Sequence, residues 1–486
     1  MTSRTPAAFT AYAGFAAFGG FWGVWGASVP AVREQGGLSD GQLGTALLFV
    51  GAGALPAMLL TGPAVDRWGH RLTAFLLMAL GGAAVAVAHT GHGFVSLSVG
   101  LAVLGAASGA VDVAINAAAG SAERASSRPV IARAHGMFSA SVVVASLATG
   151  ALRTSGSTVA MPFLLAAAAA GAAGIIALTT ARTRSPVPRP AAHPKPSERP
   201  WRPPVSTLRL LPLLIIGGLG AVAFAVENAH QTWSAVYLGD VQSAGPALAA
   251  AGPAVFAAVV ALTRFAVAPL SSAYATAVLI TGATAAAAGT TMEAGAPNVS
   301  IALAGLGLAA AGTAVLYPTL LGLVAGQVDE TVRGAATSVV TTVAYLGFLA
   351  GPVYVGRWAA AVGLPGAMVA VAAIAAGLAL LTWPALRTIR RQVQSGRRGL
   401  TTTRGSRTQP APGTASLDAV RRCCPYKEAH GGVAGRRQSR TDSELRATIG
   451  ISATTNTWSG ARPFTSSSRT ARSSFTTARL RIPPSP

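Results

Sequence analysis

The sequence predicts an all-α integral membrane protein whose twelve transmembrane helices form two six-helix bundles. Three observations predict it. Of 486 residues, 51% are hydrophobic and only 11% charged, whereas soluble domains carry about 25% charged residues. Apolar runs recur at the length of roughly 20 residues that a helix needs to cross about 30 Å of hydrocarbon. One long proline-rich, charged segment, 181–207, divides these runs near the middle of the chain.

The first six runs fall at 9–30, 43–65, 72–90, 94–119, 134–152 and 158–180. The first follows Arg4 and continues past Gly14 and Trp22 with no small-residue cleavage site, so it reads as a retained span and not a removed signal peptide. Segment 181–207 is too rich in proline and charge for a membrane helix and reads as an extended cytoplasmic linker. Six further runs follow at 208–238, 246–269, 273–290, 298–325, 331–356 and 362–386. The expected organisation is a first bundle over 1–180, the linker, a second bundle over 208–390 and a disordered basic cytoplasmic tail over 391–486.

Charge orients the spans. With the N-terminus cytoplasmic, the inner connectors hold Arg67, Arg71, Arg124, Arg128, Arg133, the seven basic residues from Arg182 to Arg209, and Arg333. The outer connectors hold Arg33, Arg153 and Arg357. This is the positive-inside pattern, and it puts both termini in the cytoplasm. From Arg387 onward there are 19 Lys and Arg against 4 Asp and Glu. Most of the net charge of +22 therefore belongs to the tail and connectors, which argues against a nucleic-acid-binding domain. Cys423 and Cys424, the two cysteines, are adjacent and imply neither a disulfide framework nor a metal site.

The connector between the second and third runs reads Gly62-x-x-x-Asp66-Arg67-x-Gly69-x-Arg71. Its glycines allow close helix approach and a tight turn, Asp66 can cap or pair across helix ends, and the arginines anchor to an anionic leaflet. This connector, with twelve spans split six and six, resembles the signature of the major facilitator superfamily. Further segments narrow the resemblance: Gly105 to Asn116 with Glu123 beyond, Ala134 to Ser139, Glu227 to Leu238, and Tyr345 to Gly356. Together they are similar to the fucose-permease-like branch of bacterial inner-membrane transporters, over about residues 9–390. The second-half connector after Arg264 departs from the pattern, because Phe-Ala-Val-Ala-Pro269-Leu-Ser-Ser lacks the Asp-Arg-x-Gly core. The fifth helix lacks the Gly-Pro pair typical of drug antiporters, so multidrug export is not specifically indicated.

Ionisable residues inside apolar runs are costly in lipid and mark cavities, partners or proton paths. Asp112 and Asn116 lie one turn apart on the fourth helix. On the seventh, Glu227, His230, Gln231 and Ser234 fall along one stripe, with Trp233 and Tyr237 at its edge. Glu227, Asp112 and His230 are the expected proton-coupling candidates. Trp22, Trp25, Asn116, Gln231, Trp233, Ser234 and Tyr345 are the expected cavity residues, and Asn228, about 100° around the helix from Glu227, need not share the cavity. Gly62, Asp66, Arg67, Gly69 and Arg71, with Glu123 and Arg124, form the expected cytoplasmic gate, pairing when the protein faces outward. A packing seam between the two halves explains the same polar stripe without transport.

No nucleotide-binding loop, nucleophile motif or metal-ligand spacing is present, so no cofactor and no enzymatic activity are expected. The resemblance implies a monomeric secondary transporter of the bacterial cytoplasmic membrane. It would move a small-molecule solute with protons by alternating access, its partners being that solute, protons and membrane lipids. Uptake of a sugar-like or small polar metabolite is expected first, and efflux of a hydrophobic or amphiphilic compound is the alternative.

Overall fold

A computed structural model describes residues 6–183, 210–271, 274–328 and 330–405. The expected linker from 184 onward and the tail beyond 405 lie outside the described residues, as does Asp329. All regular structure among the described residues is helical. The first half contributes α1 (Pro6–Gly36), α2 (Asp40–Trp68), α3 (His70–Thr90), α4 (Phe94–Ser126), α5 (Val130–Thr154) and α6 (Ala160–Thr183). The second contributes α7 (Leu210–Asp240), the short α8 (Pro246–Ala249), α9 (Ala251–Ser271), α10 (Ala275–Ala294), α11 (Val299–Ala314), α12 (Leu316–Gln327) and α13 (Glu330–Gly405).

Among the described residues, 11 segments are long and apolar enough to cross a membrane. The last, Val332–Ile389, has 58 residues, which at about 1.5 Å per residue exceeds twice the hydrocarbon thickness. Gly363, at φ 78° and ψ 167°, interrupts it in a conformation that glycine adopts without a Cβ clash. The helix then runs on to Gly405, past the boundary expected at 390.

Local chemistry sets the ends. Ser39 and Gln42 form a reciprocal capping box at the start of α2. Gly69, at φ 53°, makes the sharp turn into α3. Glu123 Oε2 accepts a hydrogen bond from the Ile131 amide at 2.9 Å and so caps the first turn of α5. The run expected as one helix over 298–325 is instead two, α11 and α12, meeting at Val315. Pro318 in the first turn of α12 has no N–H for the Ala314 carbonyl, and this missing bond lies at the break.

Within the first half α1 packs on α5, α2 on α4 and α3 on α6; in the second, α7 packs on α13 and α10 on α11. Small residues make the close approaches: Gly105 lies against the backbone of Val50, and Gly347 against that of Ala221. The halves meet through α2 with α13, α5 with α8 and α9, and α1 with α7. Many of these meetings crowd toward one end. There Gly44 touches Pro352 and Gly356, Gly26 touches Pro253, and Gly150 touches Pro246 and Ala250. At that same end Arg33 on α1 binds Asp40 of α2 at 2.6 Å and Asp240 of α7 at 2.5 Å.

Candidate functional site

Between the halves lies a cavity of two adjoining lobes, about 560 and 570 Å³. The lobes share Trp22, His135, Phe138, Glu227, Asn228, Gln231 and Arg264 as walls. Both halves therefore line it: α1, α2, α4 and α5 from the first, and α7, α9, α12 and α13 from the second.

Its walls are largely aromatic. Phe18, Trp22 and Phe138 form one group, Phe18 lying 6.3 Å from Trp22 and 5.7 Å from Phe138 by ring centroids. Across from them Phe224 contacts Tyr317 at 4.2 Å and Tyr345 at 5.9 Å. Tyr317 donates its hydroxyl to, or accepts from, Thr341 Oγ1 at 2.9 Å.

Glu227 and Arg264 dominate the charge. Glu227 Oε1 accepts from Arg264 Nη2 at 3.0 Å, and Arg264 Nε donates to the Ala314 carbonyl at 3.1 Å. That carbonyl is the one left open by Pro318, so the bend in the chain and the guanidinium satisfy each other. Asn228 repeats the device. Its Nδ2 donates to the Phe348 carbonyl at 2.6 Å, four residues before Pro352, which has no N–H to offer. Asp112 also lines the cavity, where Asn116 Nδ2 donates to its Oδ1 at 3.0 Å.

The expected residues separate into two groups. Trp22, Asp112, Glu227, Gln231 and Tyr345 line the cavity; Trp25 lines its second lobe while packing on Phe163. Asn116 is not among the lining residues and acts on Asp112 from one turn away. Trp233 and Ser234, expected in the cavity, and His230, expected as a proton-coupling candidate, are all buried and are not among its lining residues. The cavity face of α7 centres on Phe224, Glu227, Asn228 and Gln231, so the i+3 and i+7 members of the expected stripe rotate into the second half. His230 there meets Glu293 of α10 at 3.0 Å and Thr290 at 2.8 Å. Asn228, which the helix geometry left free to face elsewhere, lines the cavity.

At the expected gate Gly62 and Gly69 flank the α2–α3 turn, and Asp66, Arg67 and Arg71 are exposed. Glu123 is engaged with α5 as its cap, and Arg124 is exposed. Sequence reasoning passed over Arg264, read only as a landmark of the connector, and Glu293, placed in a break between spans. A single arginine within the apolar run 246–269 was the available signal for the first. Among the described residues no three His, Cys, Asp or Glu side chains gather as metal ligands would.

Residues 10–292 match the family profile of the Major Facilitator Superfamily. The chain belongs to this superfamily. It is 29% identical over 329 residues to an uncharacterized MFS-type transporter of Yersinia pestis, covering 68% of this chain and 82% of that one. A mutant of the nucleoside transporter NupG superposes with a TM-score of 0.67 at 12% identity, covering 78% of this chain and 99% of that one. A bacterial homolog of the human lysosomal transporter Spinster, inward-facing and unoccupied, gives 0.64 at 17% identity, covering 80% and 99%. At these identities the solved structures speak for the fold alone. The superfamily member is a secondary-active, alternating-access transporter and a multi-pass bacterial inner-membrane protein; its kin are transporters, not enzymes.

Proposed function

We propose that the chain couples uptake of a small, polar, sugar-like metabolite to proton entry, binding the solute in the central cavity. The single observation that carries this reading is the Glu227–Arg264 pair, which lines a cavity walled by helices of both halves. Protonation of Glu227 releases Arg264, and the cavity charge then depends on whether a proton is aboard. Gln231 and Asn228 supply hydrogen-bonding groups to a polar solute, and Trp22 supplies a face for a ring. Twelve crossings in two six-helix halves, with Gly363 dividing the last two, are part of this proposal. So is a cytoplasmic placement of both termini, supported by the arginine distribution. The contacts around Arg33 then seal the outer face, and the conformation is inward-facing. The motifs over 105–116, 134–139, 227–238 and 345–356 support a place in the fucose-permease-like branch.

Glu227→Gln keeps the shape and removes the titrating group. In proteoliposomes with an imposed pH gradient, gradient-driven accumulation is expected to fall roughly tenfold or more, the worth of one charged pair in a protein interior. Insertion and yield should match the parent. An unchanged rate and pH profile at equal expression would refute the assignment. Efflux of an amphiphilic compound is the second reading, favoured by the aromatic walls of Phe18, Phe138, Phe224 and Phe348. Export gains if replacing Gln231 and Asn228 leaves transport intact while replacing Trp22 abolishes it.

A further inference from the structure

We infer that the solute carries one positive charge, a protonated amine on a ring-sized body, and that Asp112 is its recognition residue. The inference rests on the proposed transport function and narrows its substrate class.

The charged side chains lining the cavity are Asp112, Glu227 and Arg264, with His135 as a further titratable group. Arg264 is committed twice, to Glu227 at 3.0 Å and to the Ala314 carbonyl at 3.1 Å. That leaves Asp112 as the lining carboxylate with no cationic partner among the described residues. Its hydrogen bond from Asn116 is neutral and comes from its own helix, leaving acceptor capacity on a group with two oxygens. Tyr345 of α13 lines the same cavity, as do Glu227, Arg264 and His135. With His135 neutral and both carboxylates ionised, the lining carries one net negative charge.

The walls complete the match. An ammonium is attracted to aromatic faces as well as to carboxylate, and the lobe that holds Asp112 is also lined by Phe18, Trp22, Phe224, Tyr317 and Tyr345. An anionic solute would meet the uncompensated carboxylate, and its one available cation is already bound. A neutral solute would leave a charged acid partly desolvated beside it. A monovalent amine relieves both conditions, and it competes with a proton for the same carboxylate.

Matched probes test this. Glucosamine against glucose, and tyramine against tyrosol, differ chiefly by an amine in place of a hydroxyl. Saturable uptake of each radiolabelled probe into proteoliposomes is measured for the parent, Asp112→Asn and Asp112→Glu, normalised to inserted protein. At least one amine is expected to be preferred over its neutral partner by about tenfold or more, the scale of a charge-assisted hydrogen bond. Asp112→Asn should erase that preference, and Asp112→Glu should restore it. A preference that survives Asp112→Asn in well-folded protein overturns the role of Asp112. Movement of the neutral partner alone overturns the amine class and leaves the transport reading standing. Movement of no probe also overturns the class for ring amines of this size. Spin-label distances across the Arg33–Asp240 contact then decide separately whether the protein alternates at all.

Discussion

His230 sits in a site where its hydrogen bonds dictate its proton. Thr290 donates its hydroxyl to the Ala286 carbonyl at 2.7 Å, so the same oxygen accepts from His230 Nε2 at 2.8 Å. Nδ1 is then turned to Glu293 Oε2 at 3.0 Å, with both side chains at most 1% exposed. The two atoms lie within ion-pair distance without forming an aligned hydrogen bond, and each is otherwise buried without a partner. Removing one partner strands the other. His230→Ala is expected to cost roughly 1–3 kcal/mol of stability, the penalty for a buried polar group left without its partner. The double variant with Glu293→Leu should recover much of that loss. Thermal unfolding in detergent checks both; additive losses would show that the two residues do not interact. His230 was legible as an intramembrane ionisable residue. Its partner was not, because Glu293 falls where Ala, Gly and Thr blur the boundary between two helices.

Two prolines shape the cavity, Pro318 at the α11–α12 break and Pro352 inside α13. Each frees a carbonyl four residues earlier, and a cavity side chain fills the vacancy: Arg264 at Ala314 and Asn228 at Phe348. Asn228 is itself steadied by Thr232 Oγ1, which donates to its Oδ1 at 2.9 Å. This predicts a coupling between elements. Asn228→Ala should destabilise by about 1–3 kcal/mol, the cost of an unsatisfied buried acceptor. In a Pro352→Ala background the alanine N–H can return to Phe348, and the same substitution should then cost markedly less. A double-mutant cycle by thermal unfolding measures the difference, and a zero coupling energy would remove proline-freed carbonyls from the account. The prolines and the helices were visible in the sequence. The pairing of each freed carbonyl with a side chain on another helix was not, since the partners are 50 and 120 residues away in the chain.

For the whole molecule, the proposed inward-facing state places the conformational balance on the contacts around Arg33. This arginine joins α1 to the start of α2 and, across the two halves, to the end of α7. Such gates need only about 1–3 kcal/mol of bias between states. Asp240→Asn is therefore expected to raise the outward-open population several-fold while leaving folding intact. A membrane-impermeant thiol reagent, applied from the outer side to a cysteine at Gln231, reports it in a background with Cys423 and Cys424 replaced by serine. Labelling should be faster in Asp240→Asn than in the parent; equal rates would show that the contact does not bear on opening. The proposed inward-facing state also accounts for the exposure of Asp66 and Arg67 at the α2–α3 turn.

The sequence by itself determined the class of protein. Span length, the scarcity of charge, the arginine-rich connectors and the Gly62–Arg71 motif each follow from local chemistry that lipid enforces, so they can be read one segment at a time. It also singled out Glu227 and Asp112, because a carboxylate in hydrocarbon stands out wherever it faces. The tertiary structure decided which way the faces point. A helix with apolar residues on all sides, as α7 has among its polar ones, carries no strong periodic signal to say which stripe meets the cavity and which meets α10. Rotation by about 100° per residue, drawn from the 3.6-residue turn, separates Asn228 at the cavity from His230 in the second half. Packing against the neighbouring helices, α13 above all, sets that rotation, and with it the partners Arg264 and Glu293.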